Sequence, residues 1–449
     1  MKTLEAFPYS NILVLGLAKS GTAAAKVLLK NNKYVRINDG KAIQSNDQIE
    51  ELKEMGAEVI IGSHPFSVLD DIQIVVKNPG IPYDNPIVAE AEKRNIPVIT
   101  EIEIAGLLTK GPIIGITGSN GKTTTTTLIT EMLKCSQKPV KVAGNIGKVA
   151  TDIAQTTDED ETMVIELSSF QLQGIKNFKP NIAVLLNIYE AHLDYHKTFE
   201  NYKAAKFNIF KSQTKNDYLV YNADDPTIIE AIHNADSIKI PFSRKKQLKE
   251  GVWIDEQYVY FKNERVMSRK DIVLVGEHNL ENILAAIAAA KLNGATNSGI
   301  YQVLTTFQGV KHRLQFVDTI NNRTFYNDSK ATNILATQKA LGAFKNSIIL
   351  LAGGLDRGNE FHDLLPFLKK VKGMVVFGQT ADKLAGIAKE AQIPIVVKTE
   401  NVQMAVKEAY EISAPADTIL LSPACASWDQ YKTFEERGDM FIQAVHTLR

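Results

Sequence analysis

The stretch GITGSNGKTTTT, Gly115 to Thr126, sets two glycines and a lysine between an apolar run and a series of threonines. In the common phosphate loop the first glycine stands about six residues before the lysine; here that place is Ile116, and Gly118 serves instead. Gly118, Ser119, Asn120 and Gly121 let consecutive N–H groups converge on an anion. Lys122 adds a point charge at the outer phosphates, and Thr123 and Thr124 open the following helix, with the Thr123 hydroxyl available to magnesium. The pattern predicts a site for a Mg-nucleotide. Thr214-Lys215-Asn216-Asp217 has the guanine-reading composition of a GTPase, but it precedes the strand DYLVYN and follows a helix. It therefore reads as a turn, and ATP is the expected nucleotide.

Further candidates stand at the ends of other apolar runs. Glu166 closes a strand in MVIELSSFQL, and His192 follows the strand IAVLLN on a loop; both suit the carboxyl edge of a sheet, where such folds bind ligands. Asn279 and Asn282 lie in the first turn of GEHNLENILAAIAAA, a position that asparagine also takes as a cap. Near the N-terminus, NILVLGLAKSGT with Asp39 after YVRIND approaches a dinucleotide fingerprint, but Ala18 replaces the second glycine. Gly16, Leu17, Ala18, Lys19 and Ser20 read equally as an ordinary strand-turn-helix or as a diphosphate cradle at a helix N-terminus. Asn78 and Gly80, in VVKNPGIP, would face the same crevice. In the last third, HRLQFVD, FYNDSKATN and LSPACASWDQYKTFEERG group Arg313, Asp328, Lys330, Thr332, Ser422 and Phe434 around two strand-to-helix turns. Polar turns with so little glycine are expected to meet a side chain or carboxylate. In YKAAKFNIF, Lys203 and Lys206 share one helix face, and spacing alone makes both solvated tips.

These residues need a scaffold of alternating strand and helix, which predicts an α/β fold with parallel sheets. The alternation restarts at NILVLG, PIIGIT and SIILLAGG, giving three domains: a Rossmann-like N-terminal domain (1–105), a central P-loop ATPase-type domain with a mostly parallel sheet (106–309), and a C-terminal Rossmann-like α/β domain (310–449). Residues 251–275 alternate polar with β-branched and aromatic residues and are expected to add antiparallel strands. A chain of 449 residues exceeds a single core, and 51 basic against 51 acidic residues leave no field for nucleic acid. No run approaches a membrane span, no signal peptide is evident, and two distant cysteines suit a reduced compartment, so a cytoplasmic protein is expected.

Taken in order, GITGSNGKTTTT, ELSSFQL, NIYEAHLDYH with YKAAKFNIF, GEHNLENILAA, HRLQFV, FYNDSKATN and LSPACASWDQYKTFEERG resemble the successive motifs of the Mur ligases over nearly the whole chain. The likeness is greatest to the member that joins D-glutamate to UDP-N-acetylmuramoyl-L-alanine. It implies a monomeric enzyme without nucleic-acid or membrane partners that uses ATP, two Mg2+ ions and an acyl phosphate. By the same resemblance Lys122 and Thr123 hold phosphates and metal, Glu166 and His192 bind metal, and Asn145 in GNIG contacts the UDP substrate. Asn279 and Asn282 meet the base or ribose, and Arg313 and Asp328 clamp ATP. Lys330, Thr332, Ser422 and Phe434 surround D-glutamate. Lys206 takes the place of a lysine that carries a carbamate and binds the second metal, with Lys122 and His192 beside it. Arg357 stands in LDRGNEF where many relatives have lysine, and its guanidinium could hold a carboxylate in a fork. A sister ligase or a folate polyglutamate ligase would share the ATP site. A nicotinamide dehydrogenase is opposed by Ala18, and a non-catalytic nucleotide switch by the acceptor motifs.

Overall fold

The computed structural model describes residues 2–40, 46–144 and 148–449, and these form three sheets. The first contains β1 (Asn11–Leu15), β2 (Tyr34–Asp39), β3 (Glu58–Ile61), β4 (Ile74–Lys77) and β5 (Val98–Ile99), in the order β3-β2-β1-β4-β5. All its pairs are parallel. The central strands are fully buried apolar runs such as Ile12–Leu15, as expected for a sheet covered by helices on both faces.

The second sheet comprises β6 (Ile113–Thr117), β7 (Val140–Gly144), β8 (Thr162–Glu166), β9 (Ile182–Leu185), β10 (Tyr218–Asn222), β11 (Ile238–Ser243), β12 (Val252–Ile254), β13 (Tyr258–Phe261) and β14 (Glu264–Ser268). Its order is β14-β13-β12-β11-β10-β9-β6-β8-β7. The strands from β7 to β12 are parallel, and β12-β13-β14 form an antiparallel extension, the arrangement anticipated from the alternation in 251–275. The third contains β15 (Gln315–Ile320), β16 (Arg323–Asn327), β17 (Ile348–Gly353), β18 (Val371–Phe377), β19 (Ile395–Lys398) and β20 (Thr418–Leu421), ordered β15-β16-β20-β17-β18-β19. It opens with the antiparallel hairpin β15-β16, not with the run at 347–354. Polar residues interrupt β15, so its strand character was hidden.

The chain divides into two compact units, Met1–Asp271 with Leu280–Thr305, and Ile272–Asn279 with Thr306–Arg449. Within the first unit one apolar core runs from Ile12, Val14 and Ile37 through Ile102, Ile104 and Leu108 to Ile165, Leu185 and Ile209. The helix Glu101–Leu108 is the shared element, apolar on nearly every side. Its carboxylates serve the backbone. Glu103 accepts from the amides of Lys176, Asn177 and Phe178 at 2.9, 2.7 and 3.1 Å. Thr100 donates its hydroxyl to the Gln171 carbonyl at 2.7 Å, and its amide bonds to the Gly174 carbonyl. The loop after ELSSFQL is thereby fastened to the helix that follows the first sheet. Charge-assisted bonds to a buried carboxylate are worth about 1.5–3 kcal/mol each, and their loss leaves three amides unmatched. Glu103→Ala is therefore expected to lower the stability of the first unit by about 3 kcal/mol or more, measured by urea unfolding; an unchanged midpoint would contradict the role of the clamp.

Candidate functional site

Parallel pairing brings the chemistry-bearing residues to one sheet edge. Glu166, the last residue of β8, is the register partner of Ile116 in β6, and Leu185 of β9 pairs with Thr117. The loop after β6, the carboxylate ending β8 and the segment after β9 thus leave adjacent strands side by side. Gly121 has φ +84°, and a Cβ there would lie 2.0 Å from Asn282 Oδ1, so only glycine fits between the loop and the helix Glu277–Leu292. No side chain caps the first turn of the helix Lys122–Cys135. The dipole and the first-turn amides of this helix suit an anion. Asn187 braces the loop, accepting from the Asn120 amide at 2.9 Å, and Ser119 Oγ lies 2.8 Å from the Tyr202 hydroxyl.

Two lysines meet over this loop. Lys122 donates to the carbonyls of Gly118 and Ser119 at 2.8 and 3.2 Å, and Lys206 donates to the same Gly118 carbonyl at 2.9 Å. The solvated tip expected for Lys206 from spacing alone is wrong: the residue is 2% exposed, whereas Lys203 pairs with Glu200 at 2.8 Å. The helix Phe199–Lys211 packs its Lys206 face inward because Tyr202, Ala205 and Ile209 lie on that side. Burial, then the Lys122 ammonium, push the Lys206 amine well below the ordinary lysine range, and Glu166 opposes the shift. His192 is also lowered, by burial and then by Lys206 and Lys122, which favours a neutral ring able to ligate metal.

The Thr123 hydroxyl and the buried Glu166 carboxylate are hard oxygen donors of the kind Mg2+ takes. Among the described residues no three carboxylate, imidazole or thiol groups converge into a ready cage.

The first sheet carries a separate cleft of about 300 Å3, lined by Gly16, Ala18, Asp39, His64, Asn78 and Gly80 among others. Asp39 accepts from the Leu17 amide at 2.8 Å, so its carboxylate shapes the turn. Gly21, whose Cβ would fall 2.0 Å from the Gly16 carbonyl, is the packing glycine. Ala18 precedes the helix Lys19–Lys30 without a side-chain cap, and Ser20 Oγ accepts from Asn78 Nδ2 at 3.0 Å. His64 was not read from the sequence; no motif surrounds it. Asn145 lies outside the described residues.

In the second unit, Asp328 leaves β16 and is enclosed. It accepts from the Leu314 amide at 3.1 Å and from Ser422 Oγ at 3.0 Å, while the Thr337 hydroxyl lies 3.1 Å from Ser422 Oγ. Ser422 is fully buried and holds Asp328, which corrects its expected place around the amino acid. Ser427, absent from the sequence reading, has a buried hydroxyl without a partner among the described residues. It lies between Ala426, whose carbonyl accepts from the Leu355 amide at 2.9 Å, and Trp428, whose ring lies 4.8 Å from the Arg357 guanidinium. Lys330 stands 5.1 Å from the Phe434 ring, and the Thr332 amide donates to the Lys330 carbonyl at 2.9 Å. Arg437 was also missed, since EERG reads as a surface charge run. It is fully buried and donates to Ser329 Oγ, the Ser329 and Cys425 carbonyls and the Gly353 carbonyl at 3.0, 2.9, 3.0 and 3.3 Å. The signal was the adjoining Gly438, where a Cβ would meet His312 Nδ1 at 2.1 Å.

A phosphate loop at a parallel sheet edge, with a buried carboxylate and lysine beside it, defines a nucleotide-using α/β enzyme. The Mur ligase MurD-like N-terminal domain matches residues 10–100, the Mur ligase middle domain 116–290, and the Mur ligase glutamate ligase domain 312–425. The chain belongs to the Mur ligase family. It is 63% identical over 449 residues to the UDP-N-acetylmuramoylalanine--D-glutamate ligase of Oceanobacillus iheyensis, and 56% identical over 449 residues to that of Bacillus cereus, with 100% of each chain covered. Among solved structures it shares the fold of MurF from Thermotoga maritima in complex with ADP (TM-score 0.59, 18% identity, 100% and 98% of the two chains). It shares that of MurC from the same organism as well (TM-score 0.58, 19% identity, 98% and 100%).

Burial raises Asp328 to about 7, with Ser422, Leu314 and Arg313 opposing. A carboxyl raised in the folded state adds stability below its unfolded pKa, and that contribution is lost as pH rises through about 7. In the ligand-free protein the second unit is expected to lose up to about 4 kcal/mol from this group between pH 4 and 8, and Asp328→Asn should flatten that slope. Identical pH–stability curves for the two proteins would refute the assignment.

Proposed function

We propose that the chain is an ATP-dependent amide ligase that adds D-glutamate to UDP-N-acetylmuramoyl-L-alanine in cytoplasmic peptidoglycan precursor synthesis, acting as a monomer. The observation that carries this reading is the paired-lysine phosphate loop in a chain 63% identical, end to end, to a relative named for that reaction. The working division is 1–105 for the UDP substrate, 106–309 for ATP and 310–449 for the amino acid.

The γ-phosphoryl group passes from ATP to the alanyl carboxylate. The D-glutamate amine then attacks the acyl carbon, and the tetrahedral intermediate collapses to the amide with loss of phosphate. Phosphoryl transfer depends mainly on positioning and on cations aimed at developing charge. Lys122 has only to turn from the loop carbonyls to the phosphates, and the helix amides receive their oxygens. Asn279 and Asn282 hold the base or ribose, and Arg313 and Asp328 the nucleotide. Thr123 and Glu166 would hold one Mg2+, and His192 with Lys206 a second; the metal supplies charge neutralisation on the phosphates. Lys330, Thr332, Arg357, Phe434 and Ser427 surround the D-glutamate carboxylates. Ser427 replaces Ser422 in that set because its buried hydroxyl is the one left for a ligand. The UDP moiety occupies the cleft of Gly16–Ser20, Asp39, Asn78 and Gly80, with Asn145.

Lys206 works as a carbamate. A neutral amine adds its electron pair to the carbon of CO2 and releases a proton to water, and burial beside the Lys122 ammonium shifts Lys206 toward that form. The product is an anionic oxygen ligand where an ammonium would repel the metal.

With Mg-ATP, UDP-N-acetylmuramoyl-L-alanine and a panel of amino acids, only D-glutamate is expected to release phosphate strongly; equal turnover with L-alanine or a diamino acid would sink the reading. Lys122→Ala should lower kcat by about a thousandfold or more while the Kd for the UDP substrate stays within about threefold. Supplying 13C-bicarbonate to the magnesium-loaded enzyme should give a carbamate carbon resonance that Lys206→Met lacks, and a bare amine in the wild type would rule the modification out.

A further inference from the structure

Lys77 ends β4 beside the first-domain cleft, yet it is 1% exposed and does not point into solvent. Its amine donates to the Ile81 carbonyl at 2.7 Å and the Tyr195 hydroxyl at 3.0 Å, with the Asn78 and Pro79 carbonyls at 3.4 and 3.5 Å. It lies 4.8 Å from the Tyr83 ring centroid. Tyr195 in turn donates toward the Pro79 and Ile81 carbonyls, each at 3.0 Å. These partners are neutral oxygens, and burial brings the amine down to about 7. A cation this deep is costly unless its bonds are well made, so the arrangement specifies one placement of the two segments.

The two ends of this contact belong to different sites. On one side, Asn78 bonds to Ser20, and Ile81 Cδ1 lies 2.9 Å from where a Gly16 Cβ would stand, so the Asn78–Pro82 loop is seated on the turn that lines the cleft. On the other, Tyr195 lies in the four-residue helix Leu193–His196, bracketed by His192 at φ +56° and Lys197 at φ +68°. A helix this short has no stability of its own. Tertiary contacts place it: the Phe170 ring lies 4.4 Å from Tyr195 and 5.0 Å from His192, and His196 Nε2 is 2.9 Å from Ser169 Oγ.

We propose that Lys77 and Tyr195 are positioning residues that couple occupation of the first-domain cleft to the placement of His192 at the nucleotide site. The inference rests on the reading of the cleft as the UDP-substrate site and of His192 as a metal ligand. Neither residue touches substrate. A ligand that presses on the Asn78–Pro82 loop moves the carbonyls that Tyr195 reads, and the short helix carries that shift to His192 through its left-handed residue.

Calorimetric titration of a non-hydrolysable Mg-ATP analogue into full-length protein, with and without saturating UDP-N-acetylmuramoyl-L-alanine, measures the coupling directly. Wild type should bind the analogue at least about fivefold more tightly with the UDP substrate present. In Tyr195→Phe and Lys77→Met that factor should fall to about twofold or less, with no further loss in the double variant, while each ligand alone binds within about threefold of wild type. Tyr195→Phe keeps the ring, so it carries the test if Lys77→Met does not fold. Variants that retain the full coupling, or a wild type that shows none, would overturn the proposal and leave the substrate reading intact. A wild type that binds no UDP-N-acetylmuramoyl-L-alanine would instead overturn the substrate reading, and this coupling with it.

Discussion

Two amines converge on the single carbonyl of Gly118, and the rest of the nucleotide site follows from that crowding. Lys122 reaches it from the start of its own helix, and Lys206 from a helix that enters after β9. Like charges so close are unfavourable at low dielectric, and burial followed by the Lys122 ammonium lowers the more enclosed Lys206 amine. Anions relieve such crowding, which suits the phosphates and the carbamate proposed for these two amines. Glu166 and the lowered His192 ring sit in the same field.

The second unit uses the opposite device. Its turns are held by one permanently charged group, Arg437, which makes four hydrogen bonds to carbonyl and hydroxyl oxygens of the NDSKATN, SPACASW and LAGG segments. Burial brings this guanidinium down to about 10 without removing its charge near neutrality. Three loops that diverge in sequence are thereby fixed to one helix, and exposed groups such as Trp428 and Arg357 stand on a rigid base.

Strand ends and glycine turns made the scaffold legible from sequence. Glu166, Lys122 and Asp328 were located because each follows an apolar run, and strand direction alone decides which edge such residues reach. What the sequence hid was burial of polar groups. Lys206, Lys77 and Arg437 look like solvated cations in a one-dimensional reading, and their enclosure depends on tertiary neighbours remote in sequence, such as the Tyr195 hydroxyl for Lys77 and the Gly353 carbonyl for Arg437. Ser422 and Ser427 could not be told apart for the same reason: both lie in one small-residue turn, and only the position of Asp328 shows which hydroxyl is already engaged.

The core shared by the first two sheets bears on how the chain is made. As it leaves the ribosome, the helix Glu101–Leu108 emerges long before β8 and β9, against whose side of the sheet it is finally covered, and Ile165, Leu185 and Ile209 belong to the same cluster. Until roughly a hundred further residues have been synthesised, a sticky, nearly all-apolar segment has no complete partner. N-terminal domains usually fold first during synthesis, but here part of the core that this helix enters is supplied by residues made later, so the apolar face of the first sheet that it covers is completed only when its neighbour has been synthesised.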